Sequence, residues 1–339
     1  MSPSPVQSRA TDRPQRWRRR AATAAGGGVT LVALWLATRG VDPAGLAQAF
    51  GDVSWPWVAA GGLVNMVTIL CQSWAWRLGL AAGGLGDVPL RHAVAATWIG
   101  KAASQVLPAK LGEVVRVMVI RRHVPAGAGQ VPRIVGSLVA QRVLNSLATF
   151  LIVVAAALFL PLPAAIPGGR WAALGAVCGA VALVVGVPRV RFGGIPGRLI
   201  PTRLRALVEA FVEGAGLLRW SRPAVLALLL QMVSLMASVA TVALLLHAFG
   251  VQAPAEASLL VLALMAIAGV LSAAPGGIGV TQFAIVAPLG AVYGVGADIA
   301  LAFSLGLQAT IAAVAVAGGL PALLHQRFAR PAVAAPAPA

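Results

Sequence analysis

Long apolar runs recur along this chain and constrain its fold more than any other feature. Each is about 20 residues long, enough to cross a bilayer as an α-helix. A chain inside lipid must satisfy its own backbone hydrogen bonds, which favours helices. Of the 339 residues, 59% are hydrophobic and 10% are charged, so the sequence predicts an all-α polytopic membrane protein. The runs begin near Ala21, Pro56, Ile134, Trp171, Pro223, Glu256 and Ala297.

A charged, broken stretch at 107–116 interrupts this pattern. It lies between two short apolar arms, 92–107 and 111–122, which have basic residues at their outer ends. Pro108 removes a backbone donor and Gly112 permits a sharp change of direction, so we expect one helix to end and another to begin here. Each arm is short for a full span. The stretch therefore predicts a re-entrant hairpin that enters and leaves on the cytoplasmic side.

A second pair of short arms, 257–274 and 278–293, flanks the sequence Pro-Gly-Gly-Ile-Gly at 275–279. It predicts a second hairpin, entering from the outer side. Span, hairpin and span then occur twice with opposite orientation, as in an inverted repeat. The expected architecture has about six full spans and two re-entrant broken-helix hairpins, or about eight hydrophobic elements. In the alternative, every short arm spans the bilayer.

The distribution of basic residues predicts the orientation. Cytoplasmic segments assigned in this way hold 20 of the 26 Lys and Arg residues, seven of them within 188–222, whereas the outer segments hold only Arg39 and Arg170. Because cytoplasmic loops carry an excess of basic residues, we expect a multi-pass protein of the cell membrane with both termini in the cytoplasm. The net charge of +17 then indicates loops beside anionic lipid, and not a nucleic-acid partner.

The sequence divides into three regions. Residues 1–20 predict a disordered basic cytoplasmic tail, 21–322 an integral membrane domain, and 323–339 a Pro/Ala-rich cytoplasmic tail. The first apolar run, 21–38, fits an uncleaved anchor better than a signal peptide because it is long and further spans follow. Residues 202–220 predict an amphipathic interfacial helix.

Tryptophans flank the second predicted span. Trp74 and Trp76, near its cytoplasmic end, fit an interfacial aromatic belt.

Four motifs follow one another along the chain: Trp74-Ala75-Trp76-Arg77, Leu107-Pro108-Ala109-Lys110-Leu111-Gly112-Glu113-Val114-Val115-Arg116, Gln141-Arg142-Val143-Leu144-Asn145 and Ala274-Pro275-Gly276-Gly277-Ile278-Gly279-Val280-Thr281-Gln282. In this order and spacing they resemble the flippase-like transmembrane family that includes the membrane domain of lysylphosphatidylglycerol synthases. The resemblance covers about 54–322 and implies a role in moving lipids. Larger members of that family add a soluble aminoacyl-transferase domain, for which this chain has no room, so we do not expect lipid aminoacylation.

The chain departs from that family where carboxylates are usual. The third motif of the family usually reads acid-Arg with a further acid, and the fourth usually ends in Arg-Glu. Here Gln141 and Asn145 replace the acids of the third motif, and Thr281 and Gln282 replace the Arg-Glu pair. These substitutions disfavour a proton-coupled mechanism that uses those acids.

Ionisable residues at membrane depth are the strongest site candidates, because charges there normally face a cavity or one another. Four cations and one carboxylate remain at that depth, a surplus of three positive charges that favours an anionic ligand. Glu113 and Arg116 are three residues apart and share a helix face, and a helix beginning near Leu111 adds its positive dipole end. A structural network of these charges is the alternative, and Lys101 is expected to extend to the cytoplasmic interface. The other two cations are Lys110 and Arg142.

The glycines of the fourth motif form the other predicted part of the site. Without side chains, they would let either a head group or another helix reach the main chain. The predicted substrate-binding residues are Lys110, Glu113, Arg116, Arg142, Gly276, Gly277 and Gly279.

Patterns of catalysis and metal binding are missing from the sequence. The two cysteines and four histidines are scattered, and there is no phosphate-binding loop or Gly-x-Ser-x-Gly motif. We therefore expect no enzyme, metal or cofactor. The leading hypothesis is binding and translocation of an anionic or phosphate-linked lipid. The alternatives are a small-anion transporter and a non-transporting membrane partner of a separate lipid-modifying or glycosyl-transferring enzyme.

Overall fold

The computed structural model describes residue 28 and residues 31–107, 111–127, 129–159, 202–218, 221–271 and 277–328. Within these ranges the secondary structure is helical and contains no strand, which confirms the all-α prediction for this part of the chain. Residues 31–38 form the end of a first helix. The later helices are α1 (Pro43–Gly51), α2 (Trp55–Ala82), α3 (Leu90–Val106), α4 (Leu111–Ile120), α5 (Gln130–Phe159), α6 (Thr202–Gly214), α7 (Arg222–Ala248), α8 (Glu256–Leu271), α9 (Val280–Tyr293) and α10 (Ala297–Phe328).

Among the residues that the structure describes, four helices are long and apolar enough to cross a membrane: α2, α7, residues Gln130–Leu151 of α5 and residues Ala297–Gln326 of α10. Helices α8 and α9 supply shorter apolar segments. The polytopic membrane prediction is thus confirmed in its general form. The spans predicted to begin near Ala21 and Trp171, and the tail at 1–20, lie largely or wholly outside the described residues.

Helices α2 and α7 pack closely along their lengths. Gly61 of α2 permits this approach, since a β-carbon there would overlap the side chain of Leu245. Polar side chains then bridge the two helices: the Thr68 hydroxyl donates to the Ser234 carbonyl at 3.3 Å, and Gln72 Nε2 donates to Ser234 Oγ at 3.1 Å. Small and polar residues at such contacts are typical of membrane helix pairs.

The predicted break after residue 107 is present. Helix α3 ends at Val106 and α4 begins at Leu111, and the two pack against each other. Our interpretation of Gly112 as the residue that turns the chain is wrong, because Gly112 lies inside α4 and is buried. A β-carbon there would overlap the Gly100 carbonyl oxygen and the Ser104 hydroxyl. Gly112 therefore allows the two arms to touch.

Helix α3 also packs against α10. Trp98 Nε1 donates to the Val314 carbonyl at 3.1 Å, and a β-carbon on Gly318 would overlap the Trp98 ring. The first arm of the α3–α4 hairpin is thus held by the C-terminal helix. Helix α10 continues to Phe328, six residues past the end at 322 predicted for the membrane domain.

The second broken element is also present. Helix α8 ends at Leu271 and α9 begins at Val280. Gly277 and Gly279 lie between them with φ of 79° and 87°, values that glycine adopts without steric cost. Pro275 and Gly276 lie outside the described residues.

The predicted interfacial helix corresponds to α6, followed by a short 3₁₀ helix at Ala215–Leu218. Helix α6 packs on the first part of α5, where a β-carbon on Gly214 would overlap the Arg133 carbonyl oxygen. Arg133 also forms an ion pair with Glu213, with 2.6 Å between Nη2 and Oε2.

Candidate functional site

A partly open cavity of about 360 Å³ is lined by residues of α2, α3, α4, α5 and α7. It brings together Glu113, Arg116 and Arg142, three of the residues predicted to bind substrate. Lys110 and Gly276 lie outside the described residues. The polar side chains of the lining include Gln72, Lys101, Ser104, Glu113, Arg116, Gln141, Arg142, Asn145 and Gln231.

Arg116 occupies the wall of this cavity on α4 and is 8% exposed. Its guanidinium carbon lies 3.8 Å from the centroid of the Trp76 ring on α2, a cation–π distance that stabilises a cation away from water. The Trp76 Nε1 donates to Ser137 Oγ at 3.1 Å, which holds the ring in place. Arg116 is therefore positioned by residues of two other helices.

The uncharged side-chain amide of Gln141 also holds Arg116 in place. Arg116 Nη2 donates to Gln141 Oε1 at 3.1 Å, and Gln141 Nε2 donates to the Gln72 carbonyl at 2.7 Å. Only the amide nitrogen can donate to a carbonyl, so this second bond turns the Gln141 oxygen toward Arg116. Because Gln141 carries no charge, the guanidinium keeps its positive charge for another partner.

Glu113 is shared between two arginines over long distances. Its Oε2 lies 3.6 Å from Arg116 Nη1, and its Oε1 lies 3.4 Å from Arg142 Nη2. The side chains of Glu113 and Arg142 are 42% and 69% exposed, so water screens these pairs. These contacts form the network of charges that was the alternative to ligand binding. However, one carboxylate does not neutralise both arginines.

Lys101 adds a third cation to the cavity lining. We expected it to extend to the cytoplasmic interface, whereas the structure places it in the same wall as Arg116. Its ammonium forms no hydrogen bond or ion pair with another described residue. Among the lining residues, three cations therefore face one carboxylate.

The predicted site did not include Trp76, which contacts Arg116, or Gln72 and Gln231, which line the cavity. We predicted that Trp76 lies in an aromatic belt at the membrane interface. This prediction is wrong, because the Trp76 side chain is buried within the protein and is 0% exposed. The spacing of Gln72 and Trp76, four residues apart, places them on one face of α2. A polar residue one helical turn from a tryptophan, inside a predicted span, could have indicated that this face of α2 belongs to the site.

The glycine-rich break contributes differently from its prediction. Gly277 and Gly279 are not among the residues that line this cavity. The Gly279 amide donates to Gln282 Oε1 at 2.6 Å, and Gln282 Nε2 donates to Gln308. The Gly279 amide is thus already bonded to a side chain of its own segment, and Gln282 links that segment to α10.

The part of the chain that the structure describes contains no group of three His, Cys, Asp or Glu side chains able to hold a metal ion. The side chains that line the cavity supply cations, amides, hydroxyls and the Glu113 carboxylate.

Comparison with known proteins supports one assignment. The model of the family described as "Lysylphosphatidylglycerol synthase TM region" matches residues 23–319. This match confirms the resemblance drawn from the four motifs. No curated protein matches the chain.

Proposed function

The chain belongs to the family of lysylphosphatidylglycerol synthase TM regions, and we propose that it binds an anionic or phosphate-linked lipid and translocates it between the leaflets of the cell membrane. The observation that carries this proposal is the positive surplus of the cavity. Lys101, Arg116 and Arg142 line it with Glu113 as the carboxylate. A surplus of positive charge in a cavity attracts an anion, most strongly beside Arg116, the buried member of the set.

Arg116 suits a phosphate in particular. A guanidinium offers a planar fork of donors that matches two phosphate oxygens. Trp76 and Gln141 already hold this fork in place, so little conformational freedom is lost when an anion binds.

The exposed face of α4 favours a lipid, rather than a small soluble anion, as the ligand. Leu111, Val114 and Met118 are 42%, 45% and 55% exposed and, at spacings of three and four residues, form one apolar stripe. Arg116 lies on the buried side of the same helix. A lipid could therefore keep its chains on the apolar stripe while its head group occupies the cavity.

The proposal is tested with purified protein reconstituted into vesicles that carry a fluorescent phosphatidylglycerol. A membrane-impermeant reductant bleaches the outer leaflet, and protein-dependent loss of the protected fraction measures translocation. Loss well above that of protein-free vesicles is expected. Flux of a small anion without lipid movement would favour the anion transporter, and lipid binding without either flux would favour the non-transporting partner of an enzyme.

We also propose the topology with re-entrant hairpins, the inverted repeat, about six spans and cytoplasmic termini. A cysteine at position 48 should react in intact cells with a membrane-impermeant thiol reagent, and cysteines at positions 109 and 123 should not, once Cys71 and Cys178 are replaced. Labelling at position 109 would show that the arms of the first hairpin span the bilayer. Labelling at 123 with protection at 48 would invert the orientation.

Gln141→Glu is expected to weaken binding of anionic lipid about tenfold or more. The new carboxylate would pair with Arg116, and its oxygens could not donate to the Gln72 carbonyl. Affinity for vesicles containing phosphatidylglycerol is the measurement. Gln252→Glu, outside the cavity, is the matched control. Equal affinity of the Gln141→Glu and parental proteins would contradict the role given to the neutral amide.

A further inference from the structure

A second recess, the α4–α10 groove, has a volume of about 260 Å³ and lies between α4 and the end of α10. It shares no lining residue with the cavity. Most of its lining is apolar, and its polar residues lie toward the ends of the two chain segments that form it. The apolar residues are Val115, Met118, Val119 and Leu323, and the polar ones are Arg122 and Gln326.

The groove and the cavity use different faces of α4. From Val115 to Arg122, the groove residues follow one another at spacings of three and four, so they share one helical face that continues into the 3₁₀ turn at Arg121–His123. Arg116 lies on the buried side of α4 and lines the cavity. Helix α4 therefore separates two recesses, each of which has its own arginine.

Arg122 is the charged residue of the groove. It is exposed and forms no ion pair with another residue that the structure describes. Its 3₁₀ turn is held in place on both sides of Arg122: Gln130 Nε2 donates to the Arg121 carbonyl at 2.9 Å, and His123 Nδ1 lies 3.2 Å from the Val119 carbonyl oxygen. A cation on a fixed backbone thus stands at the end of an apolar groove.

An anionic phospholipid matches both parts of this groove. A free anion would use only Arg122, and a neutral lipid would use only the apolar residues. In the proposed orientation this end of α4 lies at the cytoplasmic interface, where basic pockets between membrane helices bind anionic head groups. The groove is smaller than the pockets of about 300–1,000 Å³ that enclose drug-sized ligands, so it suits part of one acyl chain rather than a whole lipid.

We propose that the α4–α10 groove is a second lipid site, in which an acyl chain of an anionic phospholipid lies between α4 and α10 while Arg122 binds the phosphate. This lipid is distinct from the one in the cavity and is not transported, so the inference goes beyond the proposed function. Helix α4 packs mainly on α3. A lipid in the groove would support the second arm of the hairpin from the side of α10.

Photocrosslinking in vesicles tests this inference. Phosphatidylglycerol and phosphatidylcholine with the same diazirine-labelled acyl chain are each added in trace amounts to phosphatidylcholine vesicles that contain the purified protein. Mass spectrometry measures crosslinks to residues 115–119 and to Leu323. The phosphatidylglycerol probe should give about fivefold more crosslinks there, the effect of one basic residue near an anionic head group.

Two pairs of variants locate the effect. Arg122→Gln should reduce the phosphatidylglycerol yield to that of phosphatidylcholine. Arg121→Gln is its matched control, because it removes the same charge from the same turn and Arg121 is not among the residues that line the groove. Leu323→Trp should fill the groove and lower the yield at 115–119 with either probe. Leu324→Trp, at the next residue and outside the groove lining, should not.

Equal yields of the two probes in the parental protein would overturn the inference. Equal losses in Arg121→Gln and Arg122→Gln would also overturn it, because they would indicate a diffuse surface charge. Competition by glycerophosphoglycerol, the head group without acyl chains, would show that Arg122 binds free phosphates instead of a lipid. If a variant does not fold, the comparison of the two probes on the parental protein still decides.

Arg116→Ala distinguishes this site from the cavity. Crosslinks in the groove should persist in that variant although lipid movement is lost. Loss of both would show that one lipid occupies both recesses and would overturn the second site. Absence of lipid movement in the parental protein, with the groove crosslinks present, would contradict the proposed function and leave this inference standing.

Discussion

Arg116→Lys is expected to bind phosphatidylglycerol vesicles about tenfold to a hundredfold more weakly than the parental protein. Lysine keeps the positive charge but loses the planar fork that bonds two phosphate oxygens. It also loses the flat contact with Trp76, where the Arg116 guanidinium carbon lies 3.8 Å from the ring centroid. Vesicle binding and translocation of fluorescent lipid measure the effect.

Arg133→Lys is the matched control, because Arg133 pairs with Glu213 on α6 and is not among the residues that line the cavity. That variant should bind and move lipid at the parental level. A folded Arg116→Ala protein that moves lipid at the parental rate would contradict the role assigned to Arg116.

A double-mutant cycle with Glu113 separates binding from a purely structural network. If the pair were only structural, Arg116→Ala and Glu113→Ala would each lower the folded yield and the double variant would recover it. The Glu113 side chain is 42% exposed and also contacts Arg142, so it is not left buried and unpaired in Arg116→Ala. We therefore expect Arg116→Ala to fold, to lose lipid movement, and not to be rescued by Glu113→Ala.

Gly112→Ala is expected to lower the free energy of unfolding by about 1–3 kcal/mol, the usual cost of overpacking. The added methyl group would overlap the Gly100 carbonyl oxygen, which is backbone and cannot rotate away, and would lie 2.8 Å from the Ser104 amide nitrogen. The arms α3 and α4 must then separate. Thermal unfolding in detergent measures the loss.

The same substitution should also reduce lipid binding. Separation of the arms moves Lys101 on α3 relative to Arg116 on α4, so the cations no longer converge on one cavity. Gly51→Ala is the control, because its β-carbon would meet nothing within 4 Å. A Gly112→Ala protein with the parental melting temperature would show that the hairpin arms do not need this close contact.

Several features of the fold were predictable because they depend on local sequence. The apolar runs predicted α2, α5, α7 and α10, since the length and hydropathy of a segment decide whether it can span a bilayer. The break between α3 and α4 was predicted from Pro108 and Gly112, although Gly112 lies inside α4. The hydropathy of a segment and the breaking of a helix both depend on residues that are close together in the chain.

Three of the predicted site residues line one cavity, whereas the described glycines of the fourth motif do not. Glu113, Arg116 and Arg142 were identified because an ionisable residue is costly at membrane depth wherever it lies. Gly112 was assigned to a turn, although it serves a helix contact, because glycine is compatible with both roles. The sequence could not choose between them without the position of Gly100.

By itself, the sequence determined that this chain forms helices in a membrane, where two of them break, and that cations outnumber carboxylates there. Only the tertiary structure decided which side chains meet those cations. Trp76 and Gln141 come from two different helices and contact Arg116, and Gln231 of a third helix lines the same cavity. Such contacts depend on how the helices pack, and packing is set by the shapes of entire helix faces rather than by the neighbours of any one residue.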